Sequence, residues 1–582
     1  MSTFLTAQSL TLSHTATPIF KDVTFTIHRG DKIGLIGHNG CGKSSLLKLL
    51  SGPFKPSQGT VAKASSCLMR YVDQHLPESL STHSVLDALA ESLSDDEIWR
   101  AELLLDELGF STTERHMPVE NCSGGQQMRL LLARAIIHQP DLLLLDEPSN
   151  HLDLPSLLWL EQFLSNWKDS FVLVSHDQTL LDRVTNTTWV MRDRSLHHFS
   201  LPCSQARQAL KEKDEADQLR HASEQKEIDR IEKSAKRLAT WGKVYDNEDL
   251  ARKAKTMFAR KERLEEEQTE LTEGTPWALQ LQGESMPANR LLEVLPFSVT
   301  PPNSDYHLFD MAEMRVKSGD RIAVLGSNGC GKSTLLNLLY RQYEAIQANL
   351  GNQHESVTFH DRCRLGYYDQ SLRQLDDHQS ITYALQSFAS ISIEQAKRSL
   401  IGAGFEYARH EQKVVSLSGG ERARLLFVGL TLARYHMLFL DEPTNHLDME
   451  GKEELIETLQ NFEGAALLVS HDRSLIEQSC NRFWFIENGL LTEYLSAEEV
   501  YQRVTDTAPK SAISHHCNEV MSMETNTASD EQSEEQMLER LLELESLLES
   551  LLEADLGRKA KHQKPAMQKQ WQQEIEEITA QL

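Results

Sequence analysis

No stretch of this chain comes near the roughly 18 consecutive apolar residues that a membrane span requires, and residues 2 to 20 hold no lysine or arginine with which a secretory signal would begin. A cytoplasmic location is therefore expected. The eight cysteines (Cys41, Cys67, Cys122, Cys203, Cys330, Cys363, Cys480 and Cys517) form no Cys-x-x-Cys pair, which argues against zinc ribbons, iron–sulfur clusters and a disulfide frame. They read as reduced thiols, and His515-His516-Cys517 has no second ligand cluster to make it a metal site. Positive charge is scarce as well: 59 Lys and Arg against 86 Asp and Glu leave a net charge of −27. Taken whole, that balance disfavours a nucleic-acid partner. What remains is a chain of 582 residues, 40% hydrophobic, long enough for about four domain-sized units with sizeable cores.

Against these absences stands one repeated block. Gly37-His38-Asn39-Gly40-Cys41-Gly42-Lys43-Ser44-Ser45 returns as Gly326-Ser327-Asn328-Gly329-Cys330-Gly331-Lys332-Ser333-Thr334. Each copy follows an apolar run (Lys32 to Ile36; Arg321 to Leu325) and opens a helical pattern, the strand, loop and helix of a Walker A phosphate site. Glycines let backbone N–H groups turn inward around phosphate oxygens, and the helix N-terminus adds about half a positive charge. In such a loop Lys43 and Lys332 reach the β- and γ-phosphates of ATP, while Ser44 and Ser333 ligate Mg²⁺.

The two copies share further motifs in the same order. Asp141 to Glu147 and Met437 to Glu442 read as buried parallel strands ending in two carboxylates, a Walker B element. Asp146 and Asp441 are the expected Mg²⁺-shell residues; Glu147 and Glu442 stand one residue on, placed to orient or deprotonate the attacking water. His176 and His471 follow apolar strands and are expected to bond the γ-phosphate; Gln74 and Gln370, each in a Tyr-x-Asp-Gln context, are expected on metal and water. Ser123-Gly124-Gly125 and Ser418-Gly419-Gly420 open amphipathic helices, a second anion-binding arrangement. Ser123 to Asp146 and Ser418 to Asp441 both span 23 residues, and Asp146 to His176 and Asp441 to His471 both span 30. Fixed offsets of this kind imply one α/β fold used twice.

With Walker A, Walker B and the histidine, the Ser-Gly-Gly block resembles the signature of ATP-binding cassette (ABC) ATPases. The loops Pro148 to Asp153 and Pro443 to Asp448 carry Asn-His-Leu-Asp, which resembles the ABC-F branch of soluble twin cassettes over residues 1 to about 502. The resemblance implies a head-to-tail sandwich in which the signature of one half closes on the ATP of the other. Site one would combine Lys43, Ser44, Gln74, Asp146, Glu147 and His176 with Ser418 and Gly420; site two would combine Lys332, Ser333, Gln370, Asp441, Glu442 and His471 with Ser123 and Gly125. Departures are small: Cys122 replaces the usual leading Leu of the signature, and His14 and Asn303 stand where many family members place an adenine-stacking aromatic.

The expected organisation is a first ABC ATPase domain over 1–203, a helical linker over 204–273, a second ABC ATPase domain over 274–502, a flexible tether over 503–530 and a coiled-coil hairpin over 531–582. In the linker, Ile228, Ile231, Ala235 and Leu238, then Leu250, Ala254, Met257 and Leu264, mark two helices meeting near Trp241 to Glu248. From Lys233 to Arg263 ten cations face four acids. A helix of about 30 residues holds its tip roughly 45 Å away, beyond a Debye length of about 8 Å, so a phosphate there feels the local charge. Lys236, Arg237, Trp241, Lys243, Arg252, Lys253 and Lys255 are the candidate RNA contacts, with Tyr245 and Phe258 interleaved. In the family the resemblance names, such a linker reaches the ribosomal tRNA exit region and contacts tRNA.

Two further readings stay open at this stage. Met537, Leu541, Leu544, Leu548 and Leu551, then Trp571, Ile575, Ile578 and Leu582, form a coiled-coil seam. A protein acting on branched DNA would use that hairpin to bind DNA or RNA. The energising subunit of a transporter would need a separate transmembrane partner, which the ABC-F resemblance does not lead one to expect. The expected activity is ATP hydrolysis in the service of translation, with ribosome and tRNA as partners.

Overall fold

The computed structural model describes residues 2–507 apart from 14–17, 92, 151, 245–247, 267, 269–280, 282, 287–289, 302–305, 349–355 and 446. His14, Asn303, Tyr245 and the coiled-coil hairpin at 531–582 lie outside the described residues. Among the described residues no helix is long and apolar enough to cross a membrane.

Each half builds a mostly parallel sheet around its phosphate-loop strand. In the first, the order is Met69–Val72, Leu142–Asp146, Ser170–Val174, Lys32–Ile36, Thr187–Arg192 and Ser195–Phe199, parallel except for the last strand. The second repeats it around Arg321–Gly326, flanked by Ala465–Val469 and Arg482–Glu487, with Met437–Asp441 and Leu365–Tyr368 beyond the former. Strands buried on both faces must be apolar throughout. Leu142 and Leu144 accordingly enter the core on one side of the sheet, and Leu143 and Leu145 the core on the other. A smaller antiparallel sheet sits beside each, Pro18–His28, Thr3–Ser13 and Gln58–Lys63 in the first half.

A helix of 42 residues, Cys203–Val244, leaves the first cassette and is followed by Glu248–Glu266, which packs back against it. Its total rise is about 63 Å. The first three turns are not free: Cys203 and Ala206 are buried, Arg192 Nη1 donates to Asp214 Oδ2 at 2.6 Å, and the helix therefore begins inside the first cassette rather than after it. Ile228, Ile231, Ala235 and Ala254 are buried between the paired helices, as their periodicity predicts.

At the other end the structure corrects the expected boundary of the tether. The helix Ala497–Thr507 runs past 503, because Val500 and Val504, four residues apart, pack into a core shared by both halves. That core joins Leu154 and Leu158 of the first cassette to Ala323, Leu325, Ile476, Phe483 and Phe485 of the second. Conversely, Met449 of the second cassette packs into the core of the first.

Candidate nucleotide sites and the contacts between them

The register of the parallel strands brings the chemistry to one edge. Leu35 pairs with Val174 and Asp146 pairs with Val174 from the other side, so the phosphate loop, the Walker carboxylates and His176 all emerge at the C-terminal ends of neighbouring strands. Open α/β sheets bind their ligands at that edge. In the phosphate loops Lys43 Nζ donates to the carbonyls of Gly37 at 2.8 Å and His38 at 3.2 Å, and Lys332 Nζ to those of Gly326 at 2.8 Å and Ser327 at 2.9 Å. Gly42 and Gly331, at φ 103° and 107°, cap the following helices with no side-chain acceptor, leaving first-turn N–H groups directed at the loop. A Cβ on Gly37 would meet the Met191 carbonyl at 2.4 Å, whereas one on Gly40 would meet nothing within 4 Å. The first glycine is required by the fold, the second leaves open space. Cys41 and Cys330 lie under these loops, and burial raises both thiols, so they pack rather than react.

Ser44 Oγ donates to Asp146 Oδ1 at 3.0 Å, and Ser333 Oγ to Asp441 Oδ1 at 2.9 Å. The same pair of oxygens is thus assembled in both sites. Tyr71 OH donates to Asp146 Oδ2 at 2.9 Å, a contact that the Tyr-x-Asp-Gln repeat contained without its being assigned; the matching Tyr367 hydroxyl is buried without a partner among the described residues. Burial pushes both aspartates up, Asp441 to about 6. Among the described residues no group of three or more His, Cys, Asp or Glu could hold a metal by itself. A serine hydroxyl beside one carboxylate suits Mg²⁺, a hard ion that retains waters and takes phosphate oxygens as its remaining ligands. Gln74 and Gln370 are not brought into hydrogen-bond contact with that pair: Gln74 is half-buried and Gln370 exposed.

Glu147 and Glu442 both sit at φ 50°, in the left-handed region that a non-glycine residue avoids. His176 Nε2 lies 3.4 Å from Glu147 Oε1, and His471 Nε2 lies 3.4 Å from Glu442 Oε1. That is long for a hydrogen bond, and His176 Nε2 is otherwise buried without a partner among the described residues, which leaves it able to bond a phosphate oxygen. The two carboxylates differ electrostatically. Burial works against ionisation of Glu147, but His176, Lys43 and the Asn150 amide, 2.5 Å from Oε2, outweigh it and hold the group at about 2. Around Glu442 burial prevails over Lys332, with Asp441 adding to it, and lifts the group to about 8.

The signature serines cap the helices Gly124–Ile136 and Gly419–Ala433 in reciprocal capping boxes with Gln126 and Glu421. Ser123, Gly124, Ser418 and Gly419 remain exposed there. Cys122 and Leu417 are equally buried, so the cysteine fills the place of the usual leucine. Between cassettes, Asp153 Oδ2 accepts the N–H of Asn328 in the opposite phosphate loop at 3.0 Å, and Arg473 Nη2 meets Glu161 Oε2 at 2.6 Å. Lys452 Nζ reaches Asp472 Oδ2 at 2.7 Å and the carbonyl of His176 at 3.0 Å. None of these residues was singled out in the sequence as an inter-cassette contact. Placing the two copies 295 residues apart shows that Lys452 matches Leu157 and Arg473 matches Gln178, a break in the repeat that marks them.

On the linker, Arg237, Lys243, Arg252, Lys253 and Lys255 are exposed and Trp241 is 48% exposed. Lys236 is exposed too but pairs with Glu232 on its own helix.

A family model described as "ABC transporter" matches residues 20–150 and 309–445, the two phosphate-loop regions. The chain is 31% identical to the probable ATP-binding protein YheS of Escherichia coli K12, over 84% of this chain and 82% of that protein. It is 30% identical to ABC transporter F family member 4 of Arabidopsis thaliana, over 86% and 76%, and 29% identical to the ribosome protection protein VmlR of Bacillus subtilis, over 82% and 86%. In fold it is similar to an archaeal ribosome recycling factor solved in complex with a ribosomal stalk protein, with a TM-score of 0.58 at 17% identity, covering 86% of this chain and 92% of that one. The paired cassettes and these relatives together make the chain a twin-cassette ATPase of the ABC-F family.

Proposed function

We propose that this ATPase works on the ribosome: ATP binding closes the cassettes, closure sets the angle of the linker hairpin in the tRNA exit region, and hydrolysis opens the cassettes for release. The observation that carries this reading is the exposed cationic face around Trp241, held about 45 Å beyond the buried root of its helix. The likeness to a ribosome protection protein supports it.

Within each site the residues take named parts. Lys43 and Lys332 hold the terminal phosphates; Ser44 with Asp146, and Ser333 with Asp441, hold Mg²⁺, with Gln74 and Gln370 completing the shell once nucleotide is bound. Magnesium supplies charge neutralisation on the phosphates. Glu147 and Glu442 orient or deprotonate the attacking water, and His176 and His471 bond the γ-phosphate. Ser418 and Gly420 complete site one; Ser123 and Gly125 complete site two. The test is to combine Glu147→Gln with Glu442→Gln and sediment the protein with ribosomes. Trapping on ribosomes in ATP but not in ADP is expected; loss of hydrolysis with no ATP-dependent sedimentation would overturn the reading.

A further inference from the structure

The helix Met449–Gln460 of the second cassette touches three separate segments with two consecutive side chains. Lys452 bonds Asp472, the residue after His471, and the main-chain carbonyl of His176. One ammonium thus contacts the histidine loops of both sites. It is largely buried; burial opposes its charge, but the Asp472 carboxylate outweighs that and raises its pKa. Asp177, half-buried and close to Asp472, is a second carboxylate near it, and Glu147 is a third. The next residue, Glu453, accepts both terminal nitrogens of Arg207, with Nη2 to Oε2 at 2.8 Å. Arg207 lies in the second turn of the linker helix and also donates from Nη1 to Gln178 Oε1 at 3.0 Å, just after His176. Ser204, in the same root, donates its N–H to Asp182 at 2.8 Å.

The equivalent positions of the first cassette are Leu157 and Leu158, which pack in apolar cores. Among the described residues the polar junction is therefore made by the helix of the second cassette and not by its counterpart in the first, and it is the former that meets the linker root.

We propose that Lys452 and Glu453 are positioning residues that carry the state of the two ATP sites to the linker: Lys452 fixes the two histidine loops relative to each other, and Glu453, on the same helix, fixes the linker root through Arg207. The inference deepens the reading that ATP sets the hairpin's position and rests on it. A bidentate guanidinium–carboxylate pair has the directionality for such a joint, which a single surface charge lacks.

The experiment uses the full chain without ribosomes. Hydrogen exchange is followed over residues 203–216 with and without ATP in the Glu147→Gln, Glu442→Gln background, and steady-state hydrolysis is measured in the otherwise native protein. Glu453→Gln and Arg207→Met are each expected to abolish the ATP-dependent change in exchange while leaving hydrolysis within about twofold, and Arg207→Glu with Glu453→Arg to restore the change. Lys452→Met is expected to bring the Hill coefficient for ATP to about 1, and Lys452→Arg to retain the native value. If Lys452→Met does not fold, adding Asp472→Asn removes the unpaired buried charge and the same Hill coefficient is read. An unaltered exchange response in Glu453→Gln and Arg207→Met overturns the inference, as does a fall in hydrolysis equal to the loss of response, and a Hill coefficient that is the same in Lys452→Met as in the native protein overturns the part assigned to Lys452. If the native linker shows no response to ATP at all, the underlying reading fails with it.

Discussion

Asp153 of the first cassette accepts the backbone N–H of Asn328 in the phosphate loop of the second, at 3.0 Å, while its other carboxylate oxygen caps the helix Leu154–Asn166 through the N–H of Ser156 at 3.1 Å. One side chain thus bonds both the N-terminus of its own helix and the phosphate loop of the other cassette. Replacing Asp153 by Asn preserves the shape and removes the charge-assisted bond, worth about 1.5 kcal/mol. In a Glu147→Gln background, in which the proposed roles leave site two alone to turn over, KM for ATP is expected to rise roughly tenfold with little change in kcat. A fall in kcat with KM unchanged would place Asp153 elsewhere in the cycle.

The two phosphate-loop glycines separate folding from binding. Gly37→Ala drives a methyl into the Met191 carbonyl at a left-handed φ of 155°, so a loss of several kcal/mol is expected, read as a large drop in melting temperature. Gly40→Ala meets no protein atom and costs about 1 kcal/mol through its φ of 84°, yet its methyl projects into open space beside the loop. Near-native melting combined with weakened ATP binding is the expected signature.

The two glutamates are expected to give opposite stability profiles in nucleotide-free protein kept in chelator. Glu442, raised to about 8, binds its proton more tightly folded than unfolded, so its contribution is present below the ordinary carboxylate range and is lost as pH rises toward 8. Glu147, held at about 2, contributes above the ordinary range and loses that contribution as pH falls toward 2. Thermal unfolding from about pH 2.5 to about pH 8.5 checks this: Glu442→Gln should flatten the loss toward high pH, and Glu147→Gln should flatten the loss toward low pH.

At the linker tip, Trp241→Ala with Lys243→Ala removes an exposed aromatic and an exposed cation without touching a core. Hydrolysis and melting temperature are expected to stay native, while ribosome affinity falls by about tenfold and its dependence on salt becomes shallower. Sedimentation over a salt series measures both.

The cassettes were legible in the sequence because their signals are local. A phosphate loop needs its glycines and lysine within a few residues, and a buried strand announces itself as an unbroken run such as Leu142–Leu145. The linker was legible for the same reason, since Ile228, Ile231 and Ala235 follow helical spacing. The junction between cassettes was not, because Lys452 and His176, or Asp153 and Asn328, become neighbours only once two folded units face each other. The tether boundary failed in the same way: Val504 looks like an ordinary residue of a polar stretch until the core that receives it is assembled from both halves. Tyr71 fell between the two cases, noticed as context but given no task until its hydroxyl was seen on Asp146.

The unbroken run of Cys203–Val244, with Cys203 and Ala206 sunk in the first cassette, makes the linker a lever whose fulcrum lies inside the machine. Over an outer arm of about 45 Å, a rotation of only about 5° at the buried end would sweep the Trp241 region through roughly 4 Å, close to the stacking distance of about 3.4 Å between bases. A rearrangement too small to disturb either core would thereby be magnified to several ångströms at the far end of the helix.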